Sequence, residues 1–266
     1  MSGRKISVVV ITYNEELNIR ACLESAKWAD EIVVADCFSS DRTVSIAAEF
    51  TDKIFQHKFS GFGKLRNEAV AHSSNDWVFS LDADERCTPE LAREIRALLS
   101  EEPSAAAYFV PRKNYFFGKW IKHCGWYPDY RQTQLFDRRR MRYKDADIIH
   151  ENYEVDGKRG YLKEHVIHIS FRNTKQFLDK MERYSFLMGK RLVDNGVKFH
   201  THQLLTHPIF TFIKMYFLRL GFLDGIRGFI LSGLYAYYTY IKYVRVWELT
   251  KTSQVAEPPQ QSGSSK

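Results

Sequence analysis

Three carboxylates crowd into four positions at Asp82, Asp84 and Glu85, with the small Ala83 between the first two, directly after the apolar run 77–81. The run reads as a short buried strand. Carboxylates cannot remain inside a sheet without partners, so they emerge at its C-terminal edge. Two Asp side chains separated by one small residue can turn toward a common point and grip a hard divalent cation through oxygen. Mg²⁺ or Mn²⁺ suits such a site, because both are commonly held by one or two carboxylates plus a phosphorylated ligand. A solvated acidic turn carries the same letters, so the question becomes what else reaches that edge.

The positioning elements follow from the pattern. Ile6 to Ile11 is β-branched almost throughout, as in a strand covered on both faces, and Thr12-Tyr13-Asn14 breaks it. Residues 15–28 read as a helix with Leu17, Cys22, Leu23 and Ala26 inward, then 31–35 as a strand ending at Asp36. Ser39, Ser40 and Asp41 offer caps for a helix over 42–50. A short strand at 53–56, a helix at 62–72 and the strand at 77–81 follow, and Thr88-Pro89 opens a helix to about Ser100. Alternating strands and helices predict an α/β fold: an open, mostly parallel sheet with helices on both faces. The polar stretches 12–15, 36–41 and 82–85 then emerge at one edge, where such sheets bind ligands.

No G-x-G-x-x-G follows the first strand and no P-loop motif occurs, which argues against dinucleotide and P-loop chemistry; Gly61 and Gly63 read as structural. The chain has 266 residues, 44% of them hydrophobic, with a net charge of +7, so it suits one sizeable core and anionic partners. Cys22, Cys37, Cys87 and Cys124 lie far apart without metal or disulfide spacing, and residues 6–11 are too short for a secretory signal core; a reducing cytosol is expected.

The blocks Val8-Val9-Val10-Ile11-Thr12-Tyr13-Asn14-Glu15, Val33-Val34-Ala35-Asp36 with Ser39-Ser40-Asp41-Arg42-Thr43, Lys64-Leu65-Arg66-Asn67 and Leu81-Asp82-Ala83-Asp84, in that order, resemble the nucleotide-sugar half of inverting family 2 glycosyltransferases with the GT-A fold. The resemblance implies that Thr12, Tyr13 and Glu15 line a nucleoside pocket, with Asn14, Lys64 and Ala83 also in the nucleotide-sugar site. It implies further that Asp36 pairs with uracil, Arg66 reaches the base or diphosphate, Asp82 faces the ribose or sugar, and Asp84 holds the metal. Each role has a chemical counterpart in an imide acceptor, an anion clamp and a hard-metal ligand.

Residues 106–111 read as another strand. The aromatic, basic segment 115–129 suits stacking on sugars or packing over the sheet. Residues 132–137 are a further strand, and 161–170 alternate around His165 and His168. An inverting transfer needs one base for the acceptor hydroxyl. The resemblance places that base at Glu151, although His150-Glu151 departs from the family's usual pair; Asp129 is the other candidate, and both could instead pair with nearby Arg. His168 is a satisfied core or surface residue, or, as the resemblance allows, a group near the diphosphate or metal.

Asn173 caps a helix to about Asn195 with a stripe at Phe177, Met181, Tyr184, Met188 and Leu192. A second helix begins at His207-Pro208, and a third runs over 223–247 with an apolar centre at 229–238. That centre is too short to span a bilayer. It fits a helix lying in the membrane interface, or one buried against its own domain or a second subunit of a homodimer. The divisions expected are 1–105 for nucleotide-sugar binding, 106–172 for the acceptor and catalytic half of the same domain, 173–250 for a helical extension and 251–266 for a disordered tail.

Within the family, the stretches 112–120, 125–129 and 221–225 are similar to bacterial lipopolysaccharide inner-core β-1,4-glucosyltransferases. This implies UDP-glucose as donor, a core heptose on a lipid-linked glycan as acceptor, and a cytoplasmic protein peripheral to the inner face of the membrane. No nucleic acid is expected as a partner. Two rivals remain at this point: a sugar-phosphate nucleotidyltransferase, whose glycine-rich basic first loop is missing at 12–15, and a basic nucleic-acid- or membrane-binding module.

Overall fold

The computed structural model describes residues 3–130, 133–145 and 152–251. They form two compact units, Met1–Lys113 with Pro128–Ile169, and Asn114–Tyr127 with Ser170–Lys266. The boundary expected after 172 falls after 169, and 114–127 belongs with the C-terminal helices rather than with an acceptor half.

The first unit contains strands β1 (Ile6–Thr12), β2 (Glu31–Asp36), β3 (Ile54–Gln56), β4 (Trp77–Asp82), β5 (Glu85–Cys87) and β6 (Ala107–Phe109). Then β7 (Arg112–Phe116) and β8 (Lys119–Trp120) lead into the second unit, and β9 (Thr133–Asp137), β10 (Met141–Tyr143), β11 (Tyr153–Val155) and β12 (Arg159–Tyr161) return to the first. β13 (Val166–Phe171) crosses over again. Helices α1 (Ile19–Glu24), α2 (Thr43–Ala47), α3 (Phe62–Ala71) and α4 (Pro89–Ser100) belong to the first unit.

Seven strands make one sheet in the order β12-β6-β9-β4-β1-β2-β3. β1 runs parallel to β2 and β4, and β2 to β3, whereas β9 is antiparallel to both β4 and β6. The expected open, mostly parallel sheet is therefore present. Alternation along β1 explains its two covers. Ile6, Val8 and Val10 face Ile19 and Leu23 of α1 and Leu91, Ile95 and Leu99 of α4, while Val9 and Ile11 face Leu65 and Ala69 of α3 with Met141 and Tyr143 of β10. α3 and β10 approach so closely that a Cβ on Gly63 would lie 2.2 Å from the Lys144 carbonyl oxygen. Asn67 mimics a strand edge there: its Nδ2 donates to the Tyr143 carbonyl and its Oδ1 accepts the Tyr143 N–H.

Several local expectations change. The first helix covers only Ile19–Glu24, because the 15–18 segment is spent on turns and loop contacts, and Leu17 is exposed. Cys22, Leu23 and Ala26 are buried as expected. Asp41 serves the start of α2 by accepting the Thr43 N–H, although Arg42 occupies the cap position. Glu85 belongs to a strand rather than to an acidic turn; β5 pairs antiparallel with β13, with His168 opposite Glu85. Thr88 does cap α4, accepting the Leu91 N–H.

The second unit packs α5 (Thr174–Asp194), α6 (Gln203–Ile213) and α7 (Ile226–Lys251) about Phe116, Ile121, Trp126, Phe177 and Leu231. Asn173 caps α5 by accepting the Gln176 N–H. The buried face of α5 is Phe177, Met181, Ser185, Phe186 and Gly189; Phe177 and Met181 of the expected stripe lie on it, while Tyr184, Met188 and Leu192 are only half-buried. Small residues win because α7 lies against them: a Cβ on Gly189 would meet the Arg245 Cβ at 2.8 Å. In α7, Leu231 and Ser232 are fully buried, whereas Phe229 and Tyr237 of the same run are exposed. Among the described residues no helix is long and apolar enough to cross a membrane.

Candidate functional site

Strand register brings the expected residues together. Thr12 at the end of β1 is the Cα partner of Asp36 at the end of β2, and Ile11 is the partner of Asp82 at the end of β4. Three polar stretches therefore share one rim, the C-terminal edge at which parallel sheets leave a crevice.

Hydrogen bonds lace the first two stretches. Asn14 adopts a left-handed backbone (φ 51°), a conformation Asn tolerates better than most residues. Its N–H donates to Ser39 Oγ at 2.8 Å, and its Oδ1 accepts the Ser40 N–H at 2.8 Å. The Glu15 N–H donates to Thr43 Oγ1 and the Glu16 N–H to Asp41 Oδ2. Burial works against charge on Asp41, yet the bonds from Thr43 and from the Glu16 N–H hold its carboxyl below the usual range. Asp36 is fully enclosed and accepts both the Ser39 N–H (2.8 Å) and the Ser39 hydroxyl. Its side chain thus shapes the 36–41 loop. Thr12 Oγ1 is buried and has no hydrogen-bond partner among the described residues, which leaves it for a ligand. Tyr13 stands exposed beside it.

The third stretch is tied to the first through Glu15. Asn18 Nδ2 donates to Glu15 Oε2, Arg86 donates to Asn18 Oδ1, and Arg86 also donates to the Ala83 carbonyl. Arg66 rises from α3. Ser80 and Asp82 lie two residues apart on β4 and so share the face toward α3. Arg66, 3% exposed, donates to Ser80 Oγ at 2.8 Å and to Asp82 Oδ1 at 2.6 Å. A fixed guanidinium beside a half-buried carboxylate is suited to an anion that displaces or shares that pairing. Lys64, two residues earlier on α3, is half exposed and 3.8 Å from Glu68.

Asp84 and His168 converge. Asp84 Oδ2 lies 3.3 Å from His168 Nε2, and the Ile169 N–H donates to the Asp84 carbonyl, which fixes the strand-to-turn geometry. Both side chains retain access to solvent. One carboxylate oxygen and one imidazole nitrogen at this distance fit two positions of a divalent cation, with Mn²⁺ better matched to the nitrogen than Mg²⁺. Among the described residues no set of three or more metal-type donors gathers, so phosphate oxygens and water would supply the remaining positions.

Glu85 has a role that its letter did not reveal. It is fully buried, with Arg112 Nε 3.0 Å from Oε1, and Gln134 Nε2 and the Asp82 N–H donating to Oε2 at 2.8 and 3.0 Å. Burial pushes its carboxyl up to about 7 despite the Arg112 guanidinium. It fastens the Asp82–Asp84 turn from beneath. The sequence signal was present in Arg112 and Gln134, but only β-pairing reveals that they meet Glu85. Asp129 is 8% exposed and bridges Arg112 through the backbone, the Arg112 N–H donating to its carbonyl at 3.3 Å. Glu151 lies outside the described residues.

Residues 7–169 match the model of Glycosyl transferase family 2. An uncharacterised glycosyltransferase of Rickettsia typhi is 29% identical over 262 residues, covering 94% of this chain and 89% of that protein. The lipopolysaccharide core biosynthesis glycosyltransferase LpsC of Rhizobium meliloti is 24% identical over 253 residues, covering 91% of this chain and 92% of that one. Among solved structures, the crystal structure of S. aureus TarS 1–349 is similar at 16% identity and a TM-score of 0.46, covering 92% of this chain and 91% of that one; family membership rests on the sequence match and not on that likeness. With more than half of its length matched and the α/β sheet expected of a GT-A fold, the chain belongs to glycosyl transferase family 2.

Proposed function

We propose that the chain is a metal-dependent, inverting hexosyltransferase that moves glucose from UDP-glucose to a lipopolysaccharide inner-core heptose, working at the cytoplasmic face of the membrane. The single observation that carries the donor half is the rim itself, where Thr12 is in register with Asp36, Asp82 with the adjacent Ile11, and Arg66 bonds to Asp82. The lipopolysaccharide acceptor is taken from the 24% identity to LpsC together with the excess of Lys and Arg, which suits a phosphorylated glycan.

In this reading Thr12, Tyr13, Asn14 and Glu15 border the nucleoside. Asp36, whose carboxylate has lone pairs beyond those taken by Ser39, accepts the imide N–H of uracil once the Ser39 turn yields. Arg66 and Lys64 face the diphosphate, and Asp82 and Ala83 the ribose or sugar. Asp84 and His168 would hold Mn²⁺ or Mg²⁺, which when bound supplies charge stabilisation for the leaving diphosphate. Glu85 and Arg112 keep the 82–84 turn in place. The acceptor hydroxyl oxygen attacks the anomeric carbon from the face opposite UDP, the bond to the diphosphate oxygen breaks, and UDP departs with the electron pair. The hydroxyl proton passes to Glu151 acting as base.

The test is UDP release from a panel of nucleotide sugars with extracted lipopolysaccharide as acceptor. UDP-glucose should stand out, with UDP and not pyrophosphate as the product and inverted anomeric configuration. Pyrophosphate release would instead mark a nucleotidyltransferase. For the base, Glu151→Gln should bind donor but transfer poorly; normal transfer by that variant with a dead Asp129→Asn would move the role to Asp129.

A further inference from the structure

The turn between α6 and α7 is an apolar knuckle on a locked backbone. After α6 the chain makes a π-helical turn (Lys214–Leu218), then Leu220 in the left-handed region (φ 56°), then a 3₁₀ turn (Gly221–Asp224). Contacts of the backbone hold it. A Cβ on Gly228 would sit 1.9 Å from the Gly221 carbonyl oxygen, and one on Gly221 would sit 2.7 Å from both the Met215 carbonyl oxygen and Cys124 Sγ. Apolar side chains are nevertheless turned outward: Phe217, Leu218, Leu220, Phe222, Leu223 and Ile226 are all exposed, Leu218 at 66% and Ile226 at 67%. A chain this tightly packed underneath does not expose six large hydrophobics through looseness, and contiguous patches of this kind mark interaction surfaces.

Charge says what covers the patch. From Val197 to Trp247 there are six Lys and Arg and a single carboxylate, Asp224. That one is buried, accepting the N–H groups of Lys122 and His123 at 3.1 and 2.8 Å and facing His123 Nδ1 at 3.2 Å. The exposed cations of the knuckle are Lys214 and Arg219, while Arg227 is half-buried with its Nε donating to the Phe117 carbonyl at 3.3 Å. A second copy docked on this face by a two-fold axis would bring a patch of the same charge to it, with no exposed carboxylate between 197 and 247 to neutralise the cations. An anionic bilayer supplies both missing halves: headgroup phosphates for the cations and acyl chains for the apolar tips.

We infer that residues 217–226 insert into the interfacial layer of an anionic membrane, with Lys214 and Arg219 at headgroup level. The inserting element is this turn and not the length of α7, one face of which (Leu231, Ser232, Thr239, Tyr243 and Val246) is buried; it deepens the membrane-borne acceptor of the proposed function and rests on that part of it.

The experiment is flotation of the full chain with vesicles of phosphatidylethanolamine and phosphatidylglycerol, against vesicles of phosphatidylcholine alone. Wild type should float with the anionic vesicles and much less with the neutral ones. Leu223→Glu/Ile226→Glu should stay at the bottom of the gradient. Lys214→Gln/Arg219→Gln should bind roughly 25-fold more weakly, at about fivefold per cation. These side chains are exposed, so unchanged melting temperatures exclude misfolding, and UDP binding by the same variants reads the donor reading separately. The inference is overturned if wild type fails to float with anionic vesicles, or if Leu223→Glu/Ile226→Glu floats as wild type does. It is equally overturned if wild type is a dimer in light scattering that this variant dissociates while no lipid is bound, which would assign the patch to a second copy.

Discussion

Replacing Arg112 by Met should destabilise the protein in a pH-dependent way, and the structure sets the size. Arg112 is 8% exposed and its Nε lies 3.0 Å from Oε1 of a Glu85 that is fully enclosed. Removing the cation of a buried pair leaves the enclosed carboxyl to take up a proton instead of keeping an uncompensated charge. The cost of that protonation exists only at pH values where Glu85 is otherwise ionised. Its carboxyl titrates at about 7 in the folded chain, against 4.5 for an unperturbed one. A raised acid contributes stability that is fully present below its unfolded value and is lost as pH rises through the folded value. Arg112→Met should therefore cost about 1.4 kcal/mol more at pH 8 than at pH 5, the free energy of ionising, one pH unit above it, a group pushed up to about 7. At pH 5, with Glu85 neutral, only about 1 kcal/mol for the lost hydrogen bonding should remain. Urea denaturation at the two pH values measures both. Adding Glu85→Gln to Arg112→Met at pH 8 should recover about 1.4 kcal/mol relative to the sum of the single changes. Equal costs at pH 5 and pH 8, or additive single and double variants, would refute the reasoning.

Gly63→Ala places a Cβ 2.2 Å from the Lys144 carbonyl oxygen, which is backbone and cannot swing aside. It should cost about 1–3 kcal/mol in urea denaturation and raise KM for the donor, because α3 must move and carries Arg66 with it. Thr88→Ala removes the side chain that accepts the Leu91 N–H and donates to the His165 carbonyl. A loss of about 1 kcal/mol is expected by the same assay, with catalysis otherwise intact. Asp84→Ala should abolish the dependence of turnover on added Mn²⁺ by abolishing turnover itself, while thermal stability stays near that of the wild type; retained turnover in the variant would remove Asp84 from the site.

Elements with local signals were legible in the sequence. The β-branched run in β1, the Thr88-Pro89 start of α4 and the Asn173 cap of α5 each carry their own chemistry, and the structure places all three where the pattern does. The rim was legible too, because parallel topology alone puts 12–15, 36–41 and 82–85 at one edge. What escaped depends on partners far along the chain. Glu85 reads as one more exposed acid until Arg112 and Gln134 arrive 27 and 49 residues later. Leu17 fits a helical stripe, but the Glu15 and Glu16 N–H groups are drawn to Thr43 and Asp41, and the helix starts only at Ile19. In α5 the large residues suggested the buried face, whereas close packing against α7 selected Ser185 and Gly189. The grouping of 114–127 with the C-terminal helices left no mark in composition; it is fixed by Asp224 binding the 122–123 backbone.

The most direct test of the strand-end rim as a nucleotide-sugar site is calorimetric titration of UDP into wild type, Arg66→Met and Asp84→Ala, each with and without Mn²⁺. Wild type should bind UDP more tightly with Mn²⁺ than without, Asp84→Ala should lose that difference, and Arg66→Met should bind at least about tenfold more weakly under both conditions, as expected for removal of a charged hydrogen-bond donor. UDP binding that is indifferent to Mn²⁺ and unchanged in both variants would contradict the account.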